Sequence, residues 1–73
     1  MKNLFYVVSE DTYEDGSFNG LQTIVVYDIV DNFPKEFCSI ETNTDSPYTF
    51  EEEIQEWLDS NGYEDEQFEF YRL

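Results

Sequence analysis

Histidine is absent from this 73-residue chain, cysteine occurs once, and lysine and arginine together number three. Each shortage excludes a class of chemistry. Without histidine the side chain best suited to proton transfer near neutral pH is missing. With Cys38 alone there is no disulfide within the chain and no zinc set built from Cys and His. Lys35 is the only basic residue near Cys38 in sequence, so the thiol is expected to be reduced, buried and inert. Two prolines and three glycines leave no low-complexity linker and no glycine-rich phosphate loop. No apolar run approaches the roughly 18 residues of a membrane span. Leu4–Val8 is too short for the apolar stretch of a secretory leader, and Lys2 is the only early positive charge. These absences predict a cytoplasmic protein with no catalytic residues, no cofactor, no metal and no membrane contact.

Aromatic residues and acids are what the chain has in quantity. Seven Phe, six Tyr and Trp57 supply a core, each ring burying on the order of 150–250 Å² when packed. Disordered acidic segments lack such residues, so residues 1–73 are expected to fold as a single domain, with residues 10–20 the most mobile part. Eighteen Asp and Glu against three basic residues give a formal net charge of −15. Self-repulsion of that size works against a compact state. It is well beyond the magnitude of about 2–8 that serves solubility in a small domain. A phosphate backbone would be repelled, which excludes direct nucleic-acid binding.

The residue pattern predicts the order β-β-β-α-β. Residues 3–9 and 21–31 read as strands rich in β-branched and aromatic residues, joined by a polar loop over residues 10–20. In the second strand both alternating sets are largely apolar, which predicts a central strand covered over most of its length. Asp31-Asn32-Phe33-Pro34 is a turn signal, and residues 35–41 follow as a third strand. Thr49 and Glu52 form a T-x-x-E capping box ahead of a helix whose apolar stripe is Phe50, Ile54, Trp57 and Leu58. Asn61-Gly62 ends it, and a last strand runs over residues 66–72 with Phe68 and Phe70 on one face. The expected fold is α+β, a small, mostly antiparallel sheet with one helix packed across one face. Strand order stays open. Monomer and weak homodimer both stay open, extra apolar surface on the sheet face away from the helix being only weak support for a dimer.

Two candidate chemistries fail on spacing. Asp11, Asp15 and Gly16 match positions 1, 5 and 6 of a calcium loop, but Tyr13 stands at position 3 and Gln22 at position 12, so the bidentate acid is missing. Paired carboxylates are plentiful, yet a thin single-layer domain builds no sugar cleft for them. The acids themselves remain. They cluster as Glu10, Asp11, Glu14 and Asp15 in the first loop, as Glu51, Glu52, Glu53, Glu56 and Asp59 on the helix, and as Glu64, Asp65, Glu66 and Glu69 after it. Glu52, Glu56 and Asp59 share a narrow arc opposite the apolar stripe. No Lys or Arg lies between Lys35 and Arg72, so the nine acids of the helix and the segment after it form a candidate negative band. An ordinary solvated helix face mixes signs; this one does not.

An acidic band with interspersed aromatics competes for the Lys and Arg side chains that neutralise phosphates. In size, charge and lack of catalytic groups the chain resembles the small acidic DNA-mimic proteins of bacteriophages. The resemblance spans the whole chain without a specific motif. Within that class it runs closest to inhibitors of the host nucleoid protein HU. It implies a basic DNA-binding host protein as partner in an infected bacterium and competitive exclusion of DNA as mechanism. Inhibitors of uracil-DNA glycosylase carry a Glu-Ser-Ile strand motif where this chain has Cys38-Ser39-Ile40, which argues against that target. Restriction enzymes, RNA polymerase and CRISPR nucleases stay open as targets. From a different class, the alternative is a general protein-interaction module or regulatory subunit whose acids serve solubility.

Overall fold

The computed structural model describes residues 2–73. Four strands and one helix follow in the expected order: β1 (Lys2–Thr12), β2 (Phe18–Val30), β3 (Phe33–Asn43), α1 (Phe50–Ser60) and β4 (Phe68–Arg72). They form a small α+β fold with a single sheet in the order β3-β2-β1-β4. The β1–β2 and β2–β3 pairs are antiparallel, and β1–β4 is parallel.

Local chemistry sets each boundary. The first hairpin is longer than the polar composition of residues 10–20 predicts. Pairing continues to Thr12 opposite Phe18, past a register shift between Glu10 and Thr12. The connection is therefore residues 13–17, closed by the Tyr13 amide donating to the Ser17 carbonyl at 2.8 Å. In the second hairpin only Asp31 and Asn32 leave the ladder, both at positive φ (52° and 69°). This is the two-residue turn whose twist matches paired strands and which Asn and Asp tolerate best. Phe33 and Pro34, expected in the turn, already pair with Val30 and Ile29. Proline is tolerated there because β3 is an edge strand. The last strand starts at Phe68, two residues later than expected.

The helix begins where the capping box places it. Thr49 Oγ1 accepts from the Glu52 amide at 3.2 Å, and the Glu52 carboxylate accepts from the Thr49 amide at 3.1 Å. It ends at Asn61, whose side chain donates to the Trp57 carbonyl at 2.7 Å. Gly62 follows with φ +89°, a backbone conformation glycine adopts without a Cβ clash. Ile54 and Leu58 are fully buried, against Leu4, Tyr6, Ile24, Val26 and Cys38 of the sheet. Phe50 and Trp57 are half-buried at the borders of that core. A bulge between Val26 and Tyr27 brings Phe37 beside Cys38 on the helix side. There Phe37 meets Trp57 and Tyr63 edge-on at centroid distances of 6.0 and 5.4 Å. Tyr63 in turn touches Phe68 at 6.3 Å. The segment after the helix thus ties the β3 edge to the β4 edge.

Direction explains this arrangement. β3 and β4 both run parallel to β1, so the chain must cross the sheet between them, and α1 makes that crossing. One crossover covers one face. Contrary to the expectation that β2 is covered on both sides, nothing in the described chain packs on its other side. The helix side holds the buried Ile24 and Val26, whereas Leu21, Val25 and Tyr27 are only half-buried and Ile29 is exposed.

Two consequences are measurable. Leu58→Ala should lower the unfolding free energy by about 2–5 kcal/mol and Thr49→Ala by about 1 kcal/mol; urea titrations followed by circular dichroism give both. Burial, assisted by Glu36, raises the Cys38 thiol from 9.0 to about 11. The unfolded thiol then ionises first, so native stability should fall as pH rises from about 9 towards 11. Alkylation by iodoacetamide at pH 8 should be slow in buffer and fast in urea. Equal rates would place the thiol outside the core.

Candidate partner-binding surface

The acids expected to contact a partner fall into three regions. The first cluster sits on and beside the β1–β2 turn. Glu10 and Glu14 are exposed there. Asp15 accepts from the Ser17 amide at 2.9 Å and the Ser17 hydroxyl at 2.6 Å. Those bonds favour the ionised form and lower its pKa. Asp11 turns to the face opposite the helix, where Thr23 Oγ1 donates to it at 3.2 Å.

The helix carries the second region. Glu52, Glu56 and Asp59 are exposed on its outer arc, with Asp59 accepting from Gln55 Nε2 at 2.9 Å. Glu53 is half-buried and accepts from the Ser46 hydroxyl at 2.6 Å, pinning the loop before the helix. Glu51 accepts from the Tyr6 hydroxyl at 3.2 Å. Burial first, then this bond to a carboxylate, raises the Tyr6 pKa, while Arg72 opposes the shift. Between α1 and β3 lies an open groove of about 220 Å³ lined by Ile40, Glu53, Glu56, Trp57, Ser60 and Asn61. Its apolar floor and two carboxylates suit the stem and head of a long basic side chain.

Glu64, Asp65 and Glu66 are exposed in the turn after the helix. They follow the helix directly in the chain, the Tyr63 amide donating to the Leu58 carbonyl at 3.0 Å. Glu69 stands apart. Its register opposite Asn3 puts it on the far face of the sheet, where it accepts from the Tyr71 hydroxyl at 2.6 Å and raises that group's pKa. The band therefore runs along α1 to Glu66 and excludes Glu69. It also excludes the first cluster. Thr12 and Lys2 mark opposite ends of β1, about 33 Å apart at the rise of a strand, and residues 64–66 lead into the strand that pairs at the Lys2 end.

The cations follow one rule. Lys2 binds Asp28 at 3.0 Å and stands 5.7 Å from the Phe37 ring centroid. Arg72 lies 5.2 Å from the centroid of Phe50. Lys35 pairs in register with Asp28. All three belong to the helix side of the sheet. The one ion pair among the described residues uses Asp28, which belongs to none of the clusters.

Sequence reasoning placed apolar surface on the face away from the helix, as weak support for a dimer, but named none of its apolar residues as a candidate binding surface. That face presents Phe5, Val7, Val25 and Tyr27 on the two inner strands and Tyr71 on β4, with Phe5 stacked on Tyr71 at 5.5 Å. Glu36 and Glu41 stand on the same face of β3, in register with Tyr27 and Thr23. The signal was the second apolar set in β2, which has no cover among the described residues. Comparison with protein-family models, curated proteins and solved structures finds no match to this chain. Among the described residues no helix is long and apolar enough to cross a membrane.

With so few counter-charges, the fold should respond to salt. Raising the ionic strength from about 0.01 M to 0.15 M shortens the screening length from roughly 30 to 8 Å. The melting temperature should rise by about 4–8 °C, the change that about 1 kcal/mol produces in a domain of this size. A melting temperature independent of salt would mean that the acids do not strain the fold.

Proposed function

We propose that this domain is a non-catalytic DNA mimic. It binds the nucleic-acid-binding surface of a basic host protein, the nucleoid protein HU being the leading candidate, and excludes DNA by competition. The observation that supports this most is the uncompensated charge. Eighteen acids face three cations, and the ion pair among the described residues neutralises an acid outside the clusters. The outer arc of α1 and the turn after it hold Glu52, Glu56, Asp59, Glu64, Asp65 and Glu66, all exposed. Successive carboxylates there stand where a partner's Lys and Arg side chains meet phosphates on DNA. Association is steered by charge, and displaced counterions make it weaken with salt. The setting is the cytoplasm of an infected bacterium. Uracil-DNA glycosylase, restriction enzymes, RNA polymerase and CRISPR nucleases are further targets of the same chemistry.

A second reading has its own support. The uncovered sheet face, with exposed Tyr71 and Ile29 beside Val25 and Tyr27, is what an ordinary interaction module presents. In that reading the acids serve solubility.

A pull-down from bacterial lysate at low salt, eluted with a salt gradient and read by mass spectrometry, separates the two. Mimicry predicts a DNA-binding protein that elutes at moderate salt and is released by added DNA. The triple variant Glu52→Gln, Glu56→Gln, Asp59→Asn should weaken its retention on the order of tenfold or more. Partners that resist salt and bind no DNA would overturn mimicry and favour the module.

A further inference from the structure

The sheet face turned away from α1 is bare, and its chemistry specifies what covers it. An antiparallel sheet that faces water on one side alternates apolar with polar residues. Here the solvent side of the two inner strands instead carries Phe5, Val7, Val25 and Tyr27, with Tyr71 adjoining on β4. Val7 and Val25 are opposite each other in register at the middle of the sheet, and both are half-buried. Carboxylates border this centre on both edge strands, Glu36 and Glu41 on β3 and Glu69 on β4. Among the described residues no Lys or Arg takes a register position on this face, since Lys2, Lys35 and Arg72 all take the other. An apolar centre with negative borders complements an apolar patch bordered by Lys and Arg. A second copy of the chain fits poorly. Face-to-face pairing would set like carboxylates against each other and join two bodies of formal charge −15.

We propose that this sheet face is a docking surface for the apolar, Lys- and Arg-bordered surface of a basic protein partner, with Val25 at its centre. The inference rests on the reading above in that the partner is a basic DNA-binding protein. It adds that apolar contact through the sheet anchors the complex, while the helix acids steer and select. A largely apolar centre inside a charged border is the usual anatomy of a protein interface.

Calorimetric titration of purified HU, at low and at physiological salt, tests it with three proteins: the natural chain, Val25→Glu and the helix triple variant. Val25→Glu adds a negative charge, so attraction through charge alone predicts equal or tighter binding. Docking through the sheet predicts a loss on the order of tenfold or more, the effect of disrupting a central interface residue. Tyr71→Ser, at the exposed margin of the face, should weaken binding in the same direction, and it stands in if Val25→Glu unfolds by circular dichroism. Binding that the triple variant weakens while Val25→Glu and Tyr71→Ser leave intact overturns the sheet surface and preserves mimicry. Natural chain that does not bind HU even at low salt overturns HU as the partner of either surface. Sedimentation that finds a dimer dissolved by Val25→Glu overturns the proposal as well, since a second copy then covers the face.

Discussion

One parallel crossover dictates the shape of this molecule. Because β3 and β4 point the same way, the chain must return across the sheet between them, and α1 is the return path. The apolar stripe of that helix can therefore be buried on one face only. Ile54 and Leu58 close over Leu4, Ile24 and Val26, and the aromatic run through Phe37, Trp57, Tyr63 and Phe68 seals the end of the core. Among the described residues no further element covers the opposite side. The fold is thus two-sided by construction, with an acidic helix on one side and an apolar sheet on the other.

Charge is distributed by the same division. All three cations serve the helix side, two of them beside aromatic rings of the core border. There they support packing rather than neutralise the clustered acids. The carboxylates of Glu52, Glu56 and Asp59 on α1 and of residues 64–66 after it are exposed, and none of them is in an ion pair among the described residues. The bare face has its own carboxylates at both edges and, among the described residues, no Lys or Arg in register on it. For a partner with a basic surface the two sides offer different things. The helix supplies long-range attraction that salt weakens, and the sheet supplies apolar contact that salt leaves largely untouched.

Element types were legible from residue pattern because each rests on local rules. The T-x-x-E box fixed the start of α1 and Asn61-Gly62 its end, and both are hydrogen-bonded as those motifs require. Boundaries that depend on pairing were less legible. Residues 10–12 are polar and Asn19-Gly20 carries turn chemistry, yet both stretches extend the hairpin because a neighbouring strand was there to pair with. Phe33 and Pro34 carry turn chemistry but lie in β3, since Asp31 and Asn32 both adopt positive φ and complete the turn in two residues. Surface composition was legible and its partition was not. Glu69 and Asp11 read as members of acidic clusters, and only the sheet register sends both to the face opposite the helix. The apolar second side of β2 was visible as a pattern. Whether it is covered depends on how many crossovers the chain makes, which no local signal encodes.

The central claim is that this acidic surface occupies the place of DNA on a basic protein. Fluorescence anisotropy of a labelled duplex bound to HU, titrated with this chain at about 50 and 200 mM salt, tests it most directly. The account predicts that the chain releases the duplex, and that the concentration needed rises steeply with salt. A chain that binds HU while the duplex stays bound, or that leaves the anisotropy unchanged at both salts, would contradict it.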